Sequence, residues 1–323
     1  MSASKLLAAL LLALPWAAGA QDAYPQKPIR LVVPFAPGGG VDKFARPLAQ
    51  EMSRILKQQV VIENRGGAGG VVGISAVVNA KPDGYTLLAS TDTSAYLTTQ
   101  VVKGADFDPV NALEPIASAA ITPTVLVVHP SLPVKDVGEL VAYGKANMDK
   151  GVPYVTAGIG SLHHLTGETL ARTTGMPLLH IGYRGGSPAL QDLLSGEVKV
   201  GILILSVVAP YIENGQLRAL GVIEGHRSGN YPGIPTIGEN GVPGFAMPDT
   251  SIAVWGPKGT PPAIVDRVNA AVREAMEAPA VAESLKQGGY EATPGSAAQF
   301  REQAPKSYAL YRKLVAEARL RPQ

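Results

Sequence analysis

The sequence predicts an α/β protein in two lobes, each a mainly parallel sheet flanked by helices. Three observations predict it. The chain has 323 residues, more than one core comfortably organises. Continuously apolar, β-rich runs alternate along it with helical patterns, as in sheets covered on both faces. Three glycine loops each stand between such a run and a helix start, an arrangement that two facing lobes produce along a shared cleft.

Residues 1–20 read as an export signal. Lys5 supplies a basic start, LLAALLLAL (6–14) an apolar centre, and Ala18-Gly19-Ala20 a small-residue site cut after Ala20. The apolar run is too short to span a bilayer, and no later segment is long enough. The mature chain is therefore expected outside the cytoplasm with no membrane anchor. It has no cysteine, so its core must stabilise it without disulfides, and no lipidated cysteine can follow the signal. A freely diffusing exported protein is retained only where something confines it, which points to a periplasm. The 28 basic and 26 acidic residues nearly cancel, which gives no reason to expect nucleic acid or an anionic membrane surface as partner.

The expected strands are IRLVVPF (29–35), QVVIENR (59–65), YTLLAS (85–90), TVLVVHP (124–130), VPYVTAG (152–158), LLHIGY (178–183), VKVGILIL (198–205), LRALGVI (217–223) and SIAVWGP (251–257). After the first loop, Phe44, Ala45, Leu48, Met52, Ile55 and Leu56 fall on one face of a helix. In YVTAGIGSLHHLTGETLAR (154–172), Ser161 is placed to cap the helix. In IGYRGGSPALQDLLSGEV (181–198), Ser187 is read as the cap and Pro188 as the first helical residue. Near the C-terminus, Thr260 is read as cap and Pro261 as first residue of a helix with Ile264, Val265, Val268 and Val272 facing inward.

The opening loop, PFAPGGGVD (34–42), resembles a phosphate loop but lacks the lysine and hydroxyl a Walker motif requires. Gly67-Ala68-Gly69-Gly70-Val71-Val72-Gly73 places its last glycine one residue late for a dinucleotide fingerprint, and Asp83 stands nearer ten than about 20 residues on, too close for the usual ribose partner. His163 and His164 are adjacent, so on a helix they point apart, and the other histidines show no ligand spacing. No G-x-S-x-G elbow is present, and there is no thiol. A hydrolase using Ser161 or Ser187 stays open as a minor alternative. No cofactor or metal is expected. What remains is binding without chemistry: glycines expose main-chain N–H groups at helix N-termini, where the helix dipole favours an anion.

A family resemblance then enters through named stretches. Tyr24-Pro25, Lys27 to Phe35, Pro37-Gly38-Gly39, Asp42, Ala45 and Arg46 resemble the start of the Bug proteins, the TctC-like solute-binding components of tripartite tricarboxylate transporters. The similarity continues through VVIENRGGAGG (60–70), PDGYTLLAS (82–90), YRGGSPALQDLLSGEV (183–198), GQLRALGV (215–222), PTIGENGVPGF (235–245) and GPKGTPP (256–262), covering the mature chain in order. The resemblance implies a type II periplasmic-binding-protein fold, with lobe one at 21–122 and 253–323, lobe two at 123–252, and TVLVVHP and SIAVWGP as crossovers.

The resemblance also implies a small carboxylic acid held in the cleft mainly by main-chain groups. Carried over by motif, the first lobe offers Phe35, Ala36, Gly39, Gly40, Val41 and Asp42, with Ser90 and Thr91. The second offers Thr156, Ala157, Gly160, Ser161 and His164, then Tyr183 and Arg184, then Ser206. Asp42 also suits a helix-capping role, and Arg184 a contact between lobes or at a helix end. Val41, Val71 and the run Ile204-Leu205-Ser206 stand where many relatives are more polar. They imply a more apolar cleft, and a monocarboxylate with an aromatic or otherwise apolar tail. The expected protein is a monomer that serves membrane transporter subunits or, alternatively, a sensory receptor.

Overall fold

The computed structural model describes residues 24–105 and 107–320; the expected export signal lies outside the described residues. The first half of the chain lays down β1 (Ile29–Val33), α1 (Gly40–Leu56), β2 (Val60–Asn64), α2 (Val71–Val78), β3 (Thr86–Thr91), α3 (Asp92–Val101), the short α4 (Pro109–Ala112) and β4 (Leu113–Ile121). A second set follows: β5 (Thr124–Val128), α5 (Val137–Ala146), β6 (Val152–Thr156), α6 (Leu162–Thr174), β7 (Leu178–Gly182), α7 (Gly186–Ser195), β8 (Val200–Ile204), α8 (Leu205–Glu213) and β9 (Arg218–Val222). The chain then returns through β10 (Ser251–Pro257), α9 (Pro262–Glu277), α10 (Pro279–Gln287), β11 (Glu291–Ala292) and α11 (Ala297–Ala318). Among the described residues, no helix is long and apolar enough to cross a membrane.

The strands form two sheets, β11-β4-β10-β3-β1-β2 and β7-β6-β8-β5-β9, which is the two-lobed α/β architecture. β1 pairs in parallel with β2 and β3, and β6 with β7 and β8. The sheets are mixed rather than mainly parallel. The strands nearest the passages between lobes run the other way: β10 is antiparallel to β3 and β4, and β5 is antiparallel to β8 and β9. TVLVVHP and SIAVWGP are accordingly not crossovers, since they form β5 and β10 inside the sheets. The chain crosses instead at Thr122-Pro123 and just before Ser251, where Thr122 N–H donates to Thr250 O (2.9 Å) and joins the two passages.

Burial explains the elements. β3 is buried at every position, as a strand covered on both faces must be. On α1, Phe44, Ala45, Leu48, Met52 and Leu56 are buried on one stripe, and Lys57 closes the helix in a left-handed cap. Each such large side chain contributes about 1.5–3 kcal/mol when fully buried. α11 packs on α3 and β4 and also touches α6 of the other lobe. Glu114 helps hold it there, accepting from Arg301 Nη2 (2.7 Å) and Lys258 Nζ (3.0 Å).

Two helix starts differ from expectation, α7 by two residues and α9 by one. α7 begins at Gly186 after Gly185, and α9 at Pro262 after Pro261. Ser187 and Thr260 cap nothing because their hydroxyls donate elsewhere, Ser187 to Pro37 O and Thr260 to Pro257 O.

Two buried histidines of α6, His163 and His164, lie near the half-buried His180 of β7. His164 stacks on His180 with ring centroids 3.8 Å apart, and His163 is buried beside them. Burial depresses His163 and His164 to about 4 and His180 to about 3. Burial raises two carboxyls near the passages, Asp92 to about 7 and Glu224 to about 8. The unfolded chain therefore binds more protons at the histidines from about pH 4 to 6.5, so their contribution is lost as pH falls through that window. The folded chain holds extra protons on Asp92 and Glu224 from about pH 4 upward, so stability also falls as pH rises toward 8. Each unmatched proton changes stability by about 1.4 kcal/mol per pH unit. Three histidines outweigh two carboxyls below pH 6.5; above it the carboxyls act, joined in the same direction by His226, which its bonds to Arg227 O and Asp249 hold above its usual value. Melting temperature measured against pH should peak near 6.5, and Glu224→Gln should flatten the alkaline limb. A plateau from pH 5 to 9 would contradict this.

Candidate functional site

The site begins at the loop after β1. Asp42, in the first turn of α1, is buried and accepts from Gly38 N–H (2.8 Å), Arg46 Nε (2.8 Å) and Nη2 (2.9 Å), and Asn64 Nδ2 (2.9 Å). Burial pushes its carboxyl up, but these bonds outweigh it and hold it below the usual carboxylate range. Asn64 Nδ2 also donates to Phe35 O (3.1 Å). The loop from Phe35 to Gly39 is thereby fixed, with Gly38 at a φ of +77° that favours glycine.

A small cavity of about 30 Å³ lies where the lobes meet. Five helices present their first residues to it. Gly39, Gly40 and Val41 come from the start of α1, and Thr91, Thr93 and Ser94 from the start of α3. Ser161, Leu162 and His163 open α6, Gly186 opens α7, and Ile204 and Val207 lie at the start of α8. The first N–H groups of a helix have no intrahelical acceptor, and its N-terminus carries roughly half a positive charge. Phe35, Val41, Ala157, Leu162, Ile204 and Val207 supply an apolar wall, and Thr250 completes the lining, in which no side chain is charged.

Local capping keeps this arrangement rigid. Thr91 Oγ1 accepts from Ser94 N–H (3.2 Å) and Ser161 Oγ from His164 N–H (3.2 Å), so both act as N-caps. The lobes are drawn together around the cavity. Ala36 N–H donates to Arg184 O (3.2 Å), Ser187 Oγ to Pro37 O (3.1 Å) and Lys43 Nζ to Ser206 O (2.9 Å). Tyr290 OH donates to Gly40 O (2.6 Å) and, in turn, pairs with Ser206 Oγ at 2.7 Å. The structure is a closed form.

Of the residues expected in the site, Phe35, Gly39, Gly40, Val41, Thr91, Ala157 and Ser161 line the cavity. Ala36, Arg184 and Ser206 lie at the closure, joined by main-chain atoms or, for Ser206, also by Tyr290. The Arg184 side chain is exposed. Asp42, Ser90, Thr156, Gly160, His164 and Tyr183 stand behind the lining. Asp42 is occupied as above, and Thr156 Oγ1 bonds His180 Nε2 (2.6 Å). Gly160 N–H donates to His164 Nδ1 (3.4 Å), and Tyr183 OH donates to Asp192. His163 takes the place expected of His164, because the pair diverges on α6 and the second ring turns to stack on His180.

Sequence reading missed Thr93, Ser94, Leu162, His163 and Thr250, whereas Gly186 stood in the third glycine loop and Ile204 in the run expected to make the cleft apolar. The starts of α3 and α8 follow their strands without a glycine, and there only the family resemblance pointed to Thr91 and Ser206. Thr250 belongs to a passage with no helical or strand periodicity. A search for apolar runs ending directly in a capping residue, as Leu-Ala-Ser-Thr does, would have found α3.

Comparison with known proteins agrees with this architecture. Residues 44–319 match the tripartite tricarboxylate transporter family receptor model, TctC. BugT of Bordetella pertussis is 37% identical over 274 residues, 84% of this chain and 83% of BugT. A protein encoded between tcbD and tcbE in Pseudomonas sp. (strain P51) is 37% identical over 303 residues, 93% of this chain and 88% of that one. The periplasmic binding protein BugD superposes with a TM-score of 0.87 at 32% identity, over 93% of this chain and 100% of BugD. The R. palustris protein Rpa4515, solved with adipate, gives 0.87 at 31% over the same shares. MatC of Rhodopseudomonas palustris, solved with malate, gives 0.85 at 27%, over 90% of this chain and 100% of MatC. On that match and those identities, the chain belongs to the tripartite tricarboxylate transporter receptor family and, within it, groups with the Bug periplasmic binding proteins.

Proposed function

We propose that this protein captures a small monocarboxylate between its lobes and hands it, in the closed form, to the membrane subunits of a tripartite transporter. The observation that carries the reading is the convergence of five helix N-termini on one uncharged cavity. An anion satisfies N–H groups and dipoles that a neutral solute leaves unmet. With no cationic side chain in the lining, one carboxylate is matched and a second is not. The apolar wall takes the remainder, and the cavity's size favours a short tail over an aromatic ring. Similar structures solved with adipate and malate support a carboxylic acid as the ligand class.

On this reading the moving bodies are residues 21–122 with 253–323 and residues 123–252. The protein works as a monomer in the periplasm after cleavage behind Ala20. The ligand touches both bodies and binds the closed state better, so it shifts the population toward closure. No covalent step is involved. In support, Ser161 Oγ donates to Gly158 O (2.7 Å) and Ser187 Oγ to Pro37 O (3.1 Å), so neither hydroxyl is paired with a base.

A thermal-shift screen of the purified protein tests the ligand class. Short monocarboxylates at a hundredfold excess over Kd should stabilise it by about 2.7 kcal/mol, a rise of a few degrees, with adipate weaker and sugars inert. Stabilisation by sugars or metal ions alone would overturn the reading.

Closure has its own test. A Cβ on Gly69 would sit 2.0 Å from Ile159 O of the opposite lobe, and Gly69 has a φ of +63°. Gly69→Ala should weaken ligand binding more than tenfold in titration calorimetry. The left-handed backbone alone should cost only about 1–2 kcal/mol of stability. Unchanged affinity would mean that binding does not require this closed form.

A further inference from the structure

Two cavity residues hold polar atoms that nothing among the described residues satisfies. His163 is 7% exposed and Thr250 3% exposed, and neither His163 Nδ1 nor Thr250 Oγ1 has a hydrogen-bond partner. The other polar side chains of the lining are engaged. Thr93 Oγ1 donates to Thr91 Oγ1 (2.9 Å), Thr91 Oγ1 to Ser94 Oγ (3.0 Å), and Ser161 Oγ to Gly158 O (2.7 Å). A buried polar atom left unpaired is unfavourable, and in a binding cavity it marks where a ligand atom completes the set. The two residues come from different places. His163 belongs to the first turn of α6, whereas Thr250 stands on the return passage, its carbonyl accepting from Thr122 N–H.

Resting on the carboxylate reading, we propose that His163 and Thr250 form an uncharged second recognition point for a neutral oxygen on carbon 2 of the ligand. The preferred class is then a short 2-hydroxy or 2-oxo monocarboxylate rather than a plain aliphatic acid. The cavity of about 30 Å³ keeps that oxygen within a bond or two of the carboxylate. A neutral imidazole offers one donor and one acceptor, and a threonine hydroxyl offers both. A ligand hydroxyl can accept from one and donate to the other, and an oxo group can accept from both. An ammonium in the same place would bring a positive charge toward five helix N-termini, which repel it.

Titration calorimetry of the purified protein with propionate, lactate, pyruvate and alanine tests the selection. Lactate or pyruvate should bind at least roughly tenfold more tightly than propionate, the value of about one buried hydrogen bond. The better of the two identifies the oxygen as hydroxyl or oxo. In Thr250→Val and in His163→Phe the ratio to propionate should fall toward one. Equal binding of propionate, tighter binding of alanine, or a ratio that survives both substitutions would overturn the selection and leave the carboxylate reading standing. Failure of every acid to bind would overturn both. If either variant does not fold, the ratios measured on the unaltered protein decide.

Discussion

Five helix N-termini aimed at one enclosed volume impose a demand that the rest of the molecule answers. Some of their leading N–H groups are met from within, Ser94 by Thr91 and His164 by Ser161; a helix start leaves others without an intrahelical acceptor. Any cation added to the lining would deepen the positive field, and any fixed carboxylate would fill the place of a ligand. The uncharged lining of Phe35, Val41, Leu162, Ile204 and Val207 between main-chain donors is the composition that leaves the demand open. On the proposed carboxylate reading, selectivity rests on neutral groups, because the backbone already favours an anion.

Charged side chains are kept near this volume but outside it. Asp42 lies one residue from the lining and spends both oxygens on Gly38, Arg46 and Asn64. Lys43, the next residue, reaches across to Ser206 O. The first turn of α1 thus divides its labour by residue: Gly40 and Val41 face the cavity, Asp42 braces the loop behind it, and Lys43 ties the lobes. A helix places neighbours about 100° apart, which is how four consecutive residues come to serve three purposes.

Much of the fold was legible because buried strands are written as continuous apolar runs, and all nine runs became strands. β4 was not legible. Leu113–Ile121 contains Pro115 and three alanines, a composition poor in strand formers. It is a strand because β10 lies beside it, and its proline sits next to a register shift, where the ladder tolerates a missing donor. The site was legible where a glycine announced the turn, at α1, α6 and α7. Without the resemblance it was hidden at α3 and α8, where the strand runs straight into the helix, and even with it at His163, whose direction depends on the packing of His164 against His180. Long-range context decided each of these, and no local pattern records it.

The position of β10 has a consequence for biosynthesis. It lies between β3 and β4 in the first sheet, yet in sequence it follows every strand of the second. Until residues 251–257 have emerged, β3 and β4 have no common neighbour and the first sheet stays split into two pieces. All the strands of the second sheet are available well before that. The lobe that starts first is completed last, so the half of the cleft carried by α1 and α3 gains its full support only when nearly four-fifths of the chain has been made.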